Sequence, residues 1–162
     1  MRGVARAVAI RTQSGAIDMM HLGGTGVTTG SGSVTVDGVA GSLTLTTSSS
    51  SITARAVAGD LRVRTISGAV EATLSGEGNA DVETGSSAIR LNGTRGAVIS
   101  ATQSGRVSLQ GVPRRDWSAS TGSGSLDIVT ESSVPFTLDA SSGSGSVKVI
   151  GASVQGPCPN GR

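Results

Sequence analysis

Few residues of this chain could perform chemistry, and they are scattered along it. His21 is the only histidine, and no carboxylate accompanies it in a way that would mark a general-base pair. Pectin-cleaving enzymes built on repeated β structure need two or three acids clustered on neighbouring repeats, whereas the acids here are spread and mostly lie beside an arginine. Cys158 is the only cysteine and can form no disulfide within the chain. We therefore expect no enzymatic activity, no cofactor and no metal site.

One short segment departs from its surroundings. Residues 110–117 hold a proline, the only adjacent pair of arginines and the only tryptophan. Arg95 precedes Arg114 by one repeat, so the two are expected to stack as a like-charge pair with no compensating acid. Arginine and tryptophan favour binding sites, and loops on a rigid scaffold often carry function. The sequence predicts a ligand-binding site at Arg95, Arg114, Arg115 and Trp117, and the alternative is that Trp117 only fills the core.

The charge pattern argues against nucleic acid as a partner. The net charge is +2 and the basic residues are twelve arginines and one lysine, which are dispersed. A nucleic-acid-binding domain is expected to carry a basic stripe with interleaved aromatic residues, and only two aromatic residues exist, Trp117 and Phe136. No apolar run approaches the roughly 20 residues of a transmembrane helix, and residues 1–6 do not resemble the start of a secretory signal.

A repeat organises the whole chain. The pattern Thr-x-Ser-Gly-(Ser/Ala)-(Val/Ile)-x-apolar occurs in eight copies, 17 to 21 residues apart, with some substitutions. Its two apolar positions form two columns when the copies are aligned. The first column contains Ile17, Val34, Ile52, Val70, Ile89, Val107, Leu126 and Val147. The second contains Met19, Val36, Ala54, Ala72, Leu91, Leu109, Ile128 and Val149.

The columns predict an all-β, single-domain parallel β-solenoid. One copy cannot bury its apolar face alone, whereas copies stacked in register make a continuous core. We expect about 18–19 residues per coil and seven to eight coils, wound in the right-handed sense that parallel crossovers favour. Midway between the copies lies a second apolar segment, seen at Leu43, Leu61 and Ala80, and Trp117 and Phe136 are expected in the same slot of later coils.

Polar columns support the same register. Serine lies three residues before the first apolar column in every copy, threonine five before it in seven copies, and glycine is common at the intervening corner. Stacked hydroxyl groups at a corner can bond to the backbone, and tight corners favour glycine. The register also places opposite charges on neighbouring coils, as in Arg62–Asp81, Arg64–Glu83, Glu71–Arg90 and Asp127–Lys148.

Two other solenoid functions do not fit. A calcium β-roll requires an aspartate two residues before the apolar position, where this chain has glycine or serine. An ice-binding solenoid needs a flat outward array of threonines. The outward positions beside the first column are instead mixed and charged: Asp18, Thr35, Thr53, Glu71, Arg90, Ser108, Asp127 and Lys148. The hydroxyl columns therefore indicate corner hydrogen bonds.

The domain is expected to span residues 1–155, with a turn-rich tail over residues 156–162. Residues 4–10 are expected to form a partial first coil, and the pattern stops before a final coil, so the chain can be read as truncated there. Solenoids normally need capping elements at their ends. An end without a cap predicts self-association, because unpaired strand edges recruit further strands.

The repeated segments resemble those of a bacterial family of adhesin-like proteins of unknown function, the toast-rack repeat proteins. Thr29–Val36, Thr121–Ile128 and Ser142–Val149 carry the resemblance, which covers roughly residues 10–150. It implies one β-helix domain, usually in the cell envelope and often behind a signal or anchor, and it implies no enzymatic activity or cofactor.

These observations lead to an ordered set of functions. The first is a non-catalytic cell-envelope scaffold or adhesin-like binding module, with an envelope polysaccharide or protein as its partner. The alternative is a self-polymerising filament of the bactofilin type, cytoplasmic or membrane-attached, in which solenoid ends join. A glycan-active β-helix enzyme ranks third. An extracytoplasmic location follows from the resemblance alone, and a cytoplasmic location is its alternative.

Overall fold

A computed structural model describes residues 8–131 and 135–151 as coils of β structure stacked along one axis. The predicted tail, residues 156–162, lies outside the described residues, as do residues 4–7 of the predicted partial coil. Within the described ranges every secondary-structure element is a strand. The strands are β1 Val8–Ser14, β2 Ile17–Leu22, β3 Thr25–Val39, β4 Leu43–Val57, β5 Leu61–Ser67, β6 Val70–Leu74, β7 Ala80–Ser86, β8 Ile89–Thr94, β9 Val98–Ser104, β10 Val107–Gly111, β11 Trp117–Ser123, β12 Leu126–Thr130, β13 Leu138–Ser144 and β14 Val147–Gly151.

Each coil contributes one strand to each of two faces, and all pairings between coils are parallel. Face A consists of β1, residues 25–31 of β3, residues 43–49 of β4, and then β5, β7, β9, β11 and β13. Face B consists of β2, residues 34–39 and 52–57, and then β6, β8, β10, β12 and β14. The strands β3 and β4 run through the corner and join the two faces. The predicted parallel β-solenoid, with about eight coils, is confirmed.

The two predicted apolar columns lie inside the rod in the predicted register. Ile17 pairs with Val34, and the pairing continues coil by coil as far as Leu126 and Val147. Members of the first column from Ile17 to Leu126 are at most 9% exposed, whereas Val147 on the last described coil is 43% exposed. Small and β-branched side chains suit this narrow interior, because each must fit between two faces and two neighbouring coils.

The prediction that Trp117 takes the inward position of the second apolar segment is confirmed, and the same prediction for Phe136 is wrong. Trp117 is 1% exposed and pairs with Val98 on the preceding coil, but its partner on the following coil is Leu138. Phe136 lies two residues before that strand, with its ring centroid 6.3 Å from that of Trp117. The alternation of inward and outward residues is compatible with either Phe136 or Leu138 as the inward residue. Leu138 takes that position because pairing with β11 begins only after Pro135, where the Trp117 amide donates to the Thr137 carbonyl.

Glycine is sterically required at those corners between the faces where φ is positive and the preceding coil lies close. At Gly32 and Gly124 φ is +125° and +156°, and an added Cβ would overlap the carbonyl oxygen of the equivalent residue on the preceding coil. Ser50 and Ser87 occupy the same column without a positive φ. Ser50 is buried there, and its hydroxyl accepts a hydrogen bond from Thr47 Oγ1 at 2.7 Å.

The predicted hydroxyl columns do form corner hydrogen bonds. In four copies the corner threonine donates to the carbonyl two residues later, as Thr29 does to Ser31 at 3.2 Å and Thr65 to Ser67 at 3.0 Å. Among the described residues, the buried hydroxyl groups of Thr84 and Thr121 have no hydrogen-bond partner. These threonines face inward and are nearly buried, whereas the serine column is largely exposed. In those four copies the threonine hydroxyl group satisfies a backbone carbonyl at the turn, which is a structural role.

Candidate functional site

Face A of the described rod carries a groove with a volume of about 490 Å³. It crosses the strands β3, β4, β5, β7 and β9 near the ends where they approach the corner. We call it the face-A groove. Its lining consists of Thr28, Thr29, Thr46, Thr47, Ser48, Arg64, Thr65, Ile66, Glu83, Thr84, Gly85 and Gln103.

The shape of the groove follows from one outward column of the repeat. This column is the variable position between the corner threonine and serine, and Ile66 is its only large apolar member. The other members are Gln13, Gly30, Ser48, Gly85, Gln103, Gly122 and Gly143. Ile66 is 68% exposed, with Ser48 and Gly85 on the two neighbouring coils. Since Ser48 and Gly85 are small, they leave open space on both sides of an exposed apolar side chain.

Polar groups surround that apolar side chain. Thr28 and Thr46 present hydroxyl groups on successive coils, in the same outward column as Arg64 and Glu83. Arg64 Nε lies 3.5 Å from Glu83 Oε2, and both side chains remain about 60% exposed. An exposed ion pair of this kind contributes little to stability and keeps donors and acceptors accessible to a ligand. The face-A groove thus combines hydroxyl groups, a guanidinium, a carboxylate and an apolar surface.

A second depression, of about 310 Å³, lies at the opposite ends of the face-A strands. Its polar groups are already engaged. Asp60 Oδ1 accepts a hydrogen bond from the Asn79 amide at 2.9 Å, and Asn79 Oδ1 accepts one from the Ala97 amide at 3.0 Å. Arg62 Nε contacts Asp81 Oδ2 at 3.1 Å. These side chains bond one coil to the next, and their role is structural.

The structure separates the members of the predicted arginine–tryptophan site. Arg95, Arg114 and Arg115 are exposed, and the Arg114 amide donates to the Arg95 carbonyl at 3.0 Å, which places them on neighbouring coils as expected. Trp117 is buried, and its Nε1 donates to the Gly96 carbonyl at 3.0 Å. Trp117 therefore packs in the core, and ligand binding stays a prediction for the three arginines.

The expectation that Arg95 and Arg114 lack a compensating acid is wrong for Arg114. Arg114 Nη1 lies 2.8 Å from Glu77 Oε1, and both side chains are more than half exposed. Glu77 belongs to the coil before that of Arg95, so the Arg114 side chain reaches past one coil to find its partner. Counting neighbours within adjacent repeats could not reveal a pair that skips a coil.

The face-A groove escaped the sequence-based prediction. The Arg64–Glu83 pair was predicted, and the structure places it beside Ile66, Thr46 and Gln103. The available signal was the isoleucine at a position where the other copies have glutamine, glycine or serine. Without the fold, nothing indicated that this position faces solvent next to a depression.

Within residues 8–131 and 135–151, no three His, Cys, Asp or Glu side chains lie together in a way that could hold a metal ion. A search of the same residues for helices long and apolar enough to cross a membrane finds none.

Comparison with known proteins gives one match. The family model described as Toastrack DUF4097 matches residues 3–154, which is nearly the whole chain. Neither the curated proteins nor the solved structures contain a significant match.

Proposed function

The chain belongs to the Toastrack DUF4097 family, and on that premise we propose that it is a non-catalytic β-solenoid scaffold and adhesin-like binding module of the cell envelope. The observation that carries the binding role is the face-A groove, which places an exposed Ile66 and the Arg64–Glu83 pair among hydroxyl groups. The envelope location rests on the resemblance of the repeats to adhesin-like proteins.

The chemistry of the groove favours an extended polysaccharide. Strands in neighbouring coils lie about 4.8 Å apart, so the coils offer similar contacts at a regular interval along the rod. Such a row suits a ligand that is itself a regular chain. Thr28, Thr46 and Gln103 can exchange hydrogen bonds with sugar hydroxyl groups, and Ile66 can pack on the apolar face of a sugar ring.

Retention of the 162-residue protein on insoluble purified cell-wall polysaccharide tests this function. Arg64→Gln and Ile66→Ser should each reduce retention several-fold, since both residues line the groove. Arg62→Gln and Ile99→Ser are matched controls, because both lie on face A outside the groove lining and are exposed. No retention of the unchanged protein, or equal losses for groove and control variants, would contradict the proposed binding role.

A second function, the self-polymerising filament, is favoured by the terminal coils. Among the described residues β1 and β2 pair only with β3, β13 pairs only with β11, and β14 pairs only with β12. Each of these strands therefore presents backbone groups on one side, and such edges pair with further strands. The two functions are compatible, because an envelope scaffold can be assembled from stacked rods.

A further inference from the structure

We propose that copies of this chain stack head to tail, with the last described coil of one copy, β13 and β14, seated on the first described coil, β1 and β2, of the next. This inference rests on the filament function and names its surfaces. The stacked copies would continue faces A and B as uninterrupted parallel sheets.

The two terminal coils match each other in register on both faces. When Ser144 is aligned with Ser14, the same numerical offset aligns Leu138 with Val8 on face A and Val147 with Ile17 on face B. The offset also aligns the corner glycines Gly145 and Gly15, whose φ values of +147° and +125° are of the same kind. One offset therefore brings both pairs of strands and the corner between them into register.

Among the described residues, the last coil and face A of the first coil carry apolar side chains that are less buried than those of the inner coils, whereas Ile17 on face B of the first coil is 9% exposed. Val147 is 43% exposed, whereas Leu126, directly beneath it, is 0% exposed because Val147 covers it. Ile10 at the first coil and Leu138 at the last are only partly buried against the core. The end coil of a neighbouring copy would bury these side chains in the same way, which is the main favourable contribution to association.

Two exposed apolar side chains would also meet on the outside of face B. Met20 is 70% exposed and Ile150 is 50% exposed, and both are exceptions on a largely polar surface. The offset that aligns Val147 with Ile17 brings Ile150 beside Met20. Exposed apolar patches mark interaction surfaces, and here the two halves of the patch lie at opposite ends of one chain.

Charge complementarity points to the same partner. Lys148 is aligned with Asp127 inside the chain, and in the stacked arrangement its other neighbour is Asp18. The column then reads Asp127, Lys148 and Asp18 of the following copy, with alternating charge. A second copy of this chain supplies the strand spacing, the apolar contact and the opposite charge together, and it is therefore the partner that fits the end coils.

The test uses sedimentation velocity of the full 162-residue chain over a range of concentrations. The unchanged protein should form linear oligomers. Lys148→Asp and Asp18→Lys should each weaken assembly about tenfold, because each replaces an attractive cross-strand pair with a repulsive one. Mixing the two variants should restore assembly, since every junction between unlike variants again pairs Asp with Lys. Restoration on mixing cannot arise from misfolding of either variant.

A second pair of variants addresses the apolar contact. Met20→Ser and Ile150→Ser should weaken assembly, whereas Ile99→Ser in the middle of the rod should leave it unchanged. A monomeric unchanged protein at all concentrations would overturn both the filament function and this interface. Assembly that both single charge reversals leave undiminished, or that their mixture does not restore, would overturn the interface and leave the filament function standing.

Discussion

Arg114 donates a hydrogen bond to Glu77 across an intervening coil, with Nη1 2.8 Å from Oε1. The contact joins residues 37 apart in sequence and fixes one arginine of the predicted binding site. Within the described part of the chain, Arg95 and Arg115 have no ion-pair partner. Any anion bound at this surface would therefore rely mainly on those two side chains.

This arrangement predicts that three substitutions at residues 114–117 lower the free energy of unfolding by different amounts. Trp117→Ala should lower the free energy of unfolding by about 3–5 kcal/mol, because it empties a buried slot and leaves the Gly96 carbonyl without its donor. Arg114→Ala should cost less than about 1 kcal/mol, since its ion pair is exposed. Arg115→Ala should change stability by less than about 0.5 kcal/mol. Chemical denaturation measures all three, and a Trp117→Ala effect as small as that of Arg115→Ala would contradict the core position.

The inward and outward alternation predicts opposite behaviour for two adjacent residues. Val70→Asp should cost several kcal/mol, because Val70 is 1% exposed and an ionised carboxylate there would have no partner. Glu71→Ala should cost less than about 1 kcal/mol, because Glu71 is exposed and faces Arg90 at the surface. Thermal denaturation compares the two variants. Similar shifts in Tm would show that the register is wrong.

The surroundings of three glycines predict that their substitution by alanine lowers stability by different amounts. Gly124→Ala should lower stability by more than about 2 kcal/mol, because a Cβ would overlap the Gly105 carbonyl oxygen at a φ of +156°. Gly15→Ala has a positive φ but no atom within 4 Å, and Gly26→Ala has neither constraint. The expected order of destabilisation is therefore Gly124, Gly15 and Gly26. Urea denaturation that gave the same midpoint for all three would contradict the close approach of the coils.

Face B has a bulge between Ala54 and Val57, where the register of β4 with β6 shifts, and this bulge predicts a stabilising substitution. Ala56 has a φ of +53° and lies opposite Gly38, which has a φ of +72° in the same column. A non-glycine residue in this conformation costs about 1–2 kcal/mol, and glycine removes that cost while losing about 0.5–1 kcal/mol of chain entropy. Ala56→Gly should raise Tm, whereas Ala101→Gly in β9, at an ordinary φ, should lower it. A fall in Tm for both would contradict the bulge geometry.

The sequence could predict the fold because burial in a solenoid is periodic. A column such as Val34, Ile52 and Val70 repeats the same environment eight times, so one substitution in a single copy does not obscure the pattern. Trp117 was correctly placed as the alternative core residue for the same reason. The inward residues of the last described coil were harder to predict from the sequence. The segment between β12 and β13 is longer than in other coils, so either Phe136 or Leu138 could be the first inward residue.

The candidate site was less predictable because it depends on outward residues. Outward positions vary without a packing constraint, so the isoleucine at position 66 carried no clear signal by itself. The groove exists because small neighbours, Ser48 and Gly85, flank that residue across two coils. The partnership of Arg114 with Glu77 depends in addition on the reach of a long side chain, which repeat alignment does not encode.

An NMR titration of the 162-residue protein with soluble cell-wall oligosaccharides tests whether the face-A groove is the binding surface. Chemical-shift changes should be concentrated at the groove residues on β4, β5 and β7, among them Thr46, Ile66 and Glu83. Ile66→Ser should reduce those changes while the spectrum of the remaining rod stays the same. Shifts confined to Arg95, Arg114 and Arg115, or no shifts at saturating oligosaccharide, would contradict the claim that the face-A groove is the binding surface.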